Sequence, residues 1–147
     1  MHLTRSTDIA LRAVMLMASG TDQLTVDQLS TALHIPRNHM AKVVQRLQRH
    51  GFVVTVRGRV GGVRVPAQTL DVSVGAVVRA LEGDGEVVDC DDPPCPLRGG
   101  CHLRTALRTA QMAFLAALDA VTVRSLLTEP TGPMLLDLVP HRTGRTP

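Results

Sequence analysis

Pro36 and Gly51 bracket a run in which Met40, Val43, Val44 and Leu47 recur at helical spacing, and this bounded helix constrains the fold more than any other segment. Proline suits the first turn of a helix, where its missing N–H would have no partner anyway, and glycine just past the end takes up the cap conformation. Thr25 reads as the N-cap of a shorter helix upstream, with Gln28 completing a capping box and Leu29, Ala32 and Leu33 turned inward. His34 and Ile35 make the tight turn between the two helices. A first amphipathic helix covers residues 4–19, with Leu3, Ala10, Leu11, Val14 and Met17 or Ala18 as its apolar stripe. Beyond Gly51, residues 52–56 and 60–65 read as two strands around Arg57-Gly58-Arg59. Gly61 and Gly62, just behind the turn, serve either a close approach of backbone to DNA or the turn geometry itself. Helix, helix, turn, helix and basic hairpin is the order of a winged helix-turn-helix domain in a mainly α chain.

Charge supports that order. The net charge of +3 is uninformative, but from Gln28 to Leu70 the chain carries seven basic residues and no acid. From Glu82 to Asp92 it carries six acids and no base. The first block can lie against phosphates and the second cannot. Arg37, Asn38 and His39 hold the first positions of the bracketed helix, where a recognition helix reaches base edges in the major groove, and Lys42 follows one turn on. Arg57 and Arg59 at the wing tip suit a narrow minor groove or its flanking phosphates. A solvated basic helix beside an ordinary hairpin is the plainer interpretation, and the 43-residue acid-free run weighs against it. Single-strand and RNA binders rely on exposed aromatic platforms. This chain has no Trp or Tyr, and Phe52 and Phe114 sit at core or seam positions, so double-stranded DNA is the expected partner.

Ser73 caps a further helix that ends near Glu82. After an acidic stretch without periodicity, Leu103, Leu107, Ala110, Phe114, Ala117 and Val121 recur at spacings of four and three, a seam suited to a symmetry mate. A last short helix is expected over residues 123–128, and disorder from Pro140. At 147 residues and 44% apolar composition, the chain is of single-domain size with material for a core. It contains neither a signal peptide nor an apolar run approaching the roughly 18 residues of a membrane span, so a cytoplasmic protein is expected.

Three cysteines lie within twelve residues, Cys90 to Cys101, separated by four residues and then five. An odd number argues against a secreted disulfide framework, and clustered thiols in a reducing compartment bind metal or do redox chemistry. Structural zinc sites usually contain a tight Cys-x-x-Cys pair, absent here. Wider spacing on a proline-containing loop suits an iron–sulfur cluster, whose corners lie farther apart than the ligands of one ion. A zinc site, a redox disulfide with a spare thiol, and three unrelated thiols stay open. Three thiolates leave one position for another ligand. His102 follows Cys101 too closely to bind the same cluster easily, Asp89 and Asp91 are near but belong to an acid-rich stretch, and Asp8 has a plain role as an ion-pair partner of Arg12 or Arg5.

Together, the segment Leu3-Thr4-Arg5-Ser6-Thr7-Asp8-Ile9-Ala10-Leu11-Arg12, the helix from Ile35-Pro36, the wing Arg57 to Gly62 and the three cysteines resemble the NsrR/IscR family of iron–sulfur winged-helix regulators. Residues 82–103, including Val87-Val88-Asp89-Cys90 and Pro94-Cys95-Pro96-Leu97-Arg98, are most similar to its nitric-oxide-sensitive NsrR-type branch, apart from a Cys90–Cys95 interval one residue shorter. The resemblance implies a homodimeric repressor of nitric-oxide detoxification genes with a 4Fe–4S cluster (alternatively 2Fe–2S). It also implies that Asp8 of the other subunit joins Cys90, Cys95 and Cys101 as ligand. It divides the chain into a DNA-binding region (1–82), a cluster loop (83–102), dimerisation helices (103–129) and a partly disordered tail (130–147). Two-fold symmetry predicts a near-palindromic operator with half-sites about one or two helical turns of ~34 Å apart. A sensor of iron–sulfur supply or redox state, a cluster-free regulator of cysteine metabolism, and a small iron–sulfur electron carrier are the alternatives. The carrier would leave the basic helix and wing without a task. No zincin motif, nucleophile elbow or phosphate-binding lysine loop points to an enzyme.

Overall fold

A computed structural model describes residues 2–20, 22–59, 61–83 and 85–139. The elements are α1 (Arg5–Ser19), α2 (Val26–Leu33), α3 (Arg37–Arg49), β1 (Val54–Val56), β2 (Gly62–Arg64), a 3-10 turn (Ala67–Asp71), α4 (Val74–Glu82), α5 (His102–Asp119), a second 3-10 turn (Arg124–Leu127) and α6 (Thr131–Leu138). Helix α1 is central: α2, α3, α4, α6 and the second 3-10 turn all pack on it. It therefore buries Ile9, Ala10, Ala13, Val14, Leu16 and Met17, a wider band than the expected stripe, and Leu11 is only half-buried. A single stripe is the mark of a surface helix, and α1 is enclosed on several sides.

The helix-turn-helix is closed by local chemistry legible in the sequence. Gln28 N–H donates to Thr25 Oγ1 at 3.1 Å while Thr25 N–H donates to Gln28 Oε1 at 2.8 Å, both halves of the capping box, a cap worth about 1 kcal/mol. His34 takes the left-handed conformation (φ 53°), and Ser30 Oγ donates to the Ile35 carbonyl at 2.6 Å, which seals the turn into α3. Met40, Val43, Val44 and Leu47 of α3 are buried as expected. Gly51, at φ 75°, ends the helix and lets Phe52 N–H reach the Leu47 carbonyl at 3.0 Å.

The wing strands are shorter than expected, pairing Val54 with Arg64, Thr55 with Val63 and Val56 with Gly62 in antiparallel register. Phe52 and Val53 are both buried, and two consecutive inward side chains cannot alternate across a pleat, so the ladder begins only at Val54. Val60 lies outside the described residues. Leu24, in the link before α2, exchanges two backbone hydrogen bonds with Val63 (2.9 and 2.8 Å) and fixes the wing to the helical body. A Cβ on Gly62 would stand 2.8 Å from the Leu24 carbonyl oxygen, so this glycine serves a close approach inside the protein.

Ser73 caps α4, accepting from Ala76 N–H at 3.1 Å. Helices α4 and α5 run antiparallel: Val74 N–H bonds the Val121 carbonyl at 2.7 Å, Asp119 meets Ser73 and Arg79, and Gln111 Nε2 reaches the Gly85 carbonyl at 2.8 Å. With 18 residues, roughly 27 Å long, α5 buries none of its side chains. The expected seam is divided. Leu107, Phe114 and Val121 are half-buried, while Leu103, Ala110 and Ala117 are exposed. The side of α5 turned to α4 is the one carrying Gln111 and Leu115, about a quarter-turn away from the seam. The expected helix over 123–128 is a 3-10 turn preceded by the buried Val123. Residues 131–138, assigned to the tail by sequence, form α6, which packs Leu135 onto α1. The expected disorder from Pro140 lies outside the described residues. Among the described residues no helix is long and apolar enough to cross a membrane.

Candidate functional site

Helix α3 and the wing present all their described arginines and lysines but Arg46 on the outside. Arg37, Asn38 and Lys42 are exposed, His39 is half-buried, and Arg57 and Arg59 are exposed on either side of Gly58, whose φ of 134° makes the tip. One of these residues has an unforeseen partner. Arg37 Nε lies 2.6 Å from Asp27 Oδ1, with side chains 63% and 68% exposed. A pair so open to water contributes about 0–1 kcal/mol, which a bidentate contact to a guanine edge exceeds. Asp27 lies one residue upstream of the acid-free run, and only the turn between α2 and α3 brings it to Arg37.

The cysteine loop has a simple internal logic. Among residues 89–101, Cys90, Cys95 and Cys101 are half-buried and every other residue is exposed. The three cysteines are all free and partly shielded from solvent. Asp89 opens it: its carboxylate accepts from Asp91 N–H at 2.8 Å and Asp92 N–H at 3.2 Å, which holds its pKa below the usual range. Cys95 N–H then bonds the Cys90 carbonyl at 3.1 Å, and Arg98 N–H bonds the Cys95 carbonyl at 3.2 Å. Two of the weaker fourth-ligand candidates are thus engaged in the loop itself, since Asp91 also pairs with Arg98 at 2.6 Å. His102, at the first position of α5, is exposed.

The thiols share one electrostatic neighbourhood. Desolvation pushes the Cys90 thiol up; Arg104 opposes this, and charge on Cys95, Cys101 and Glu86 reinforces it. Arg104 grips Glu86 through two hydrogen bonds, 2.7 and 2.9 Å, and lines a cleft of about 340 Å³ together with Arg98, Cys101, His102 and Arg108. Sequence reasoning missed these arginines as neighbours of the thiols. Glu86 and Arg104 are eighteen positions apart, so no local spacing announces them. Three cysteine sulfurs on one short loop could each bind an iron, and in this respect the donor set fits an iron–sulfur cluster. Among the described residues no three His, Cys, Asp or Glu side chains converge as ligands of a single ion would. Asp8, in the first turn of α1, pairs with Arg12 (2.9 Å; side chains 46% and 61% exposed), the plain role foreseen for it.

Comparison with known proteins gives this arrangement its context. The Rrf2 family, described as iron-dependent transcriptional regulators, matches residues 3–129. The chain belongs to the Rrf2 family. It is 49% identical to the HTH-type transcriptional repressor NsrR of Streptomyces coelicolor, over 98% of this chain and 100% of that one. With the HTH-type transcriptional regulator NsrR of Bacillus subtilis it shares 36% identity over 86% of this chain and 90% of the relative. The fold matches T. potens IscR with a TM-score of 0.67 at 16% identity, covering 99% of this chain and 94% of that one. It also matches Staphylococcus aureus CymR, with a TM-score of 0.65 at 18% identity, covering 84% and 95%. This Rrf2 chain is a winged-helix transcription regulator and not an enzyme, as its sequence suggested.

Proposed function

We propose that the chain is a cytoplasmic, homodimeric repressor that binds a near-palindromic DNA operator and senses nitric oxide through a 4Fe–4S cluster. Cys90, Cys95 and Cys101 hold the cluster, with Asp8 of the other subunit as fourth ligand. The observation that carries the reading is the loop of residues 89–101, in which the three cysteines alone are partly shielded from solvent. Similarity to a repressor named NsrR across essentially the whole chain supports it. When bound, the cluster supplies iron that nitric oxide can attack. The Asp8–Arg12 pair is exposed enough to contribute only about 0–1 kcal/mol, so Asp8 is free to exchange Arg12 for a metal. The unburied α5, with Leu103, Ala110 and Ala117 outward, supplies the face for a second copy.

On this reading Arg37 and Asn38 read bases, His39 stands beside them, and Lys42, Arg57 and Arg59 meet phosphates or the minor groove. Lys42→Ala and Arg57→Ala are each expected to flatten the salt dependence of operator binding by about 0.9 in log K against log salt, one phosphate's worth. Arg37→Ala is expected to relax sequence preference instead. Wild-type binding and slope in all three would exclude this surface.

The sensing role is tested by titrating anaerobic cluster-bound protein with nitric oxide in a gel-shift assay. Operator binding should fall as the cluster spectrum disappears. Undiminished binding after complete loss of the spectrum would refute it, and a response only to iron or sulfur supply would favour the sensor of cluster supply.

A further inference from the structure

We infer that Arg46 is the positioning residue through which the cysteine loop governs the recognition helix, an inference that rests on the regulatory reading above. Arg46 belongs to α3, one turn beyond Lys42, but it is half-buried where Lys42 is exposed. Its guanidinium donates to the Leu81 carbonyl through Nη2 and to Ser6 Oγ through Nη1, at 3.4 Å in the second case. Leu81 is the next-to-last residue of α4, so its carbonyl is one of those that a helix leaves unpaired at its end. The Leu81 side chain is fully buried, which anchors that carbonyl in the core.

The following residue is gripped as well. The Glu82 carboxylate accepts from Thr4 N–H at 2.8 Å and Thr4 Oγ1 at 2.9 Å. Burial pushes its pKa up, but hydrogen bonds from Thr7 and Thr4 and the charge of Arg46 outweigh this and bring it below the usual range. The loop carrying the three cysteines starts immediately after, at Gly83 with φ 81°. The two residues that launch the loop are therefore held by α3 through one side chain and by the N-cap of α1. Asp8 sits one turn further along α1, so the carboxylate that this chain would lend to its partner's cluster stands close to the same junction. A displacement of the loop acts on Leu81 and Glu82, and Arg46 passes it to α3.

The plainer alternative is that Arg46 merely caps α4 and stabilises the fold, and the two roles predict different measurements. Operator affinity is to be measured for cluster-loaded and cluster-free wild type, Arg46→Gln and Arg46→Lys, at several salt concentrations. Coupling free energies between sites commonly correspond to about 5- to 150-fold. In Arg46→Gln the loaded-to-free affinity ratio should shrink by about fivefold or more toward one, with the salt slope unchanged because this side chain touches no phosphate. Arg46→Lys, which keeps a donor for the Leu81 carbonyl, should retain part of the ratio, and it decides the matter if Arg46→Gln fails to fold. A wild-type ratio well above one that persists in full in the variants overturns the inference alone. A slope flattened by about one phosphate also overturns it, making Arg46 a DNA contact. A wild-type ratio of one overturns the regulatory reading and the inference with it.

Discussion

Alanine at Cys90, Cys95 or Cys101 is expected to reduce bound iron by well over tenfold and to remove the visible absorbance of anaerobically purified protein. Losing even a supporting partner of a metal ligand costs about 10- to 100-fold in affinity, and each of these thiols is a ligand in its own right. The fold should survive. The cysteines stand on a loop whose other residues from 89 to 101 are all exposed, and none belongs to the core cluster. Far-UV circular dichroism of the apo variants should match apo wild type, with stability changes under about 1 kcal/mol. With neither Trp nor Tyr in the chain, absorbance near 280 nm is almost free of protein, so the loss is easy to read. Asp8→Ala, which leaves three thiolates, should assemble a cluster of shorter lifetime. Iron content and colour unchanged in any cysteine variant would refute the ligand assignment, and an unchanged cluster lifetime in Asp8→Ala would return Asp8 to its Arg12 pair.

The second large effect is expected at the outer face of α5. Ala110 is exposed in the middle of this helix, so Ala110→Arg should leave the single chain folded. In a two-fold dimer built on that face the change buries two unpaired like charges. Uncompensated buried charges cost about 3–5 kcal/mol, so dimerisation should weaken by about 150-fold or more. Sedimentation should show a monomer at micromolar concentration, and operator affinity should collapse with the loss of the second half-site. A variant that remains dimeric and binds operator like wild type would place the interface elsewhere. Specific interfaces commonly bury about 1,200–2,000 Å² in total, and α5, which buries no side chain along its length, offers surface for one.

The elements that were legible beforehand are those written in local chemistry. Thr25 and Gln28 are three positions apart and satisfy each other's backbone groups, so their capping box could be seen without any knowledge of the fold. Pro36, Gly51 and Ser73 mark helix ends for equally local reasons. What escaped depends on contacts distant in sequence. The breadth of α1's buried band follows from neighbours on several sides, and the inward turn of both Phe52 and Val53 follows from the core beneath them. Helix α6 has a short run, Met134-Leu135-Leu136, in which only Leu135 is buried, too little for a period to show. At the candidate site the thiols were legible because cysteine is rare and their spacing is tight. Their cationic surroundings were not, because Arg104 finds Glu86 across eighteen positions.

The Arg37–Asp27 ion pair has a consequence for how such a protein would search a genome. On the proposed reading Arg37 would meet random duplex while shared with Asp27, so it would add less than an unpaired cation to the salt-driven grip on any phosphate backbone. Sliding would then depend more on Lys42 and the wing. A base edge with two acceptors in the right places would compete more strongly for the guanidinium than a single phosphate oxygen does, so the exchange would favour sites where discrimination is needed. Asp27 would thereby lower background occupancy across the many competing sites while taking little from the operator, which would raise the ratio that decides whether a promoter is found.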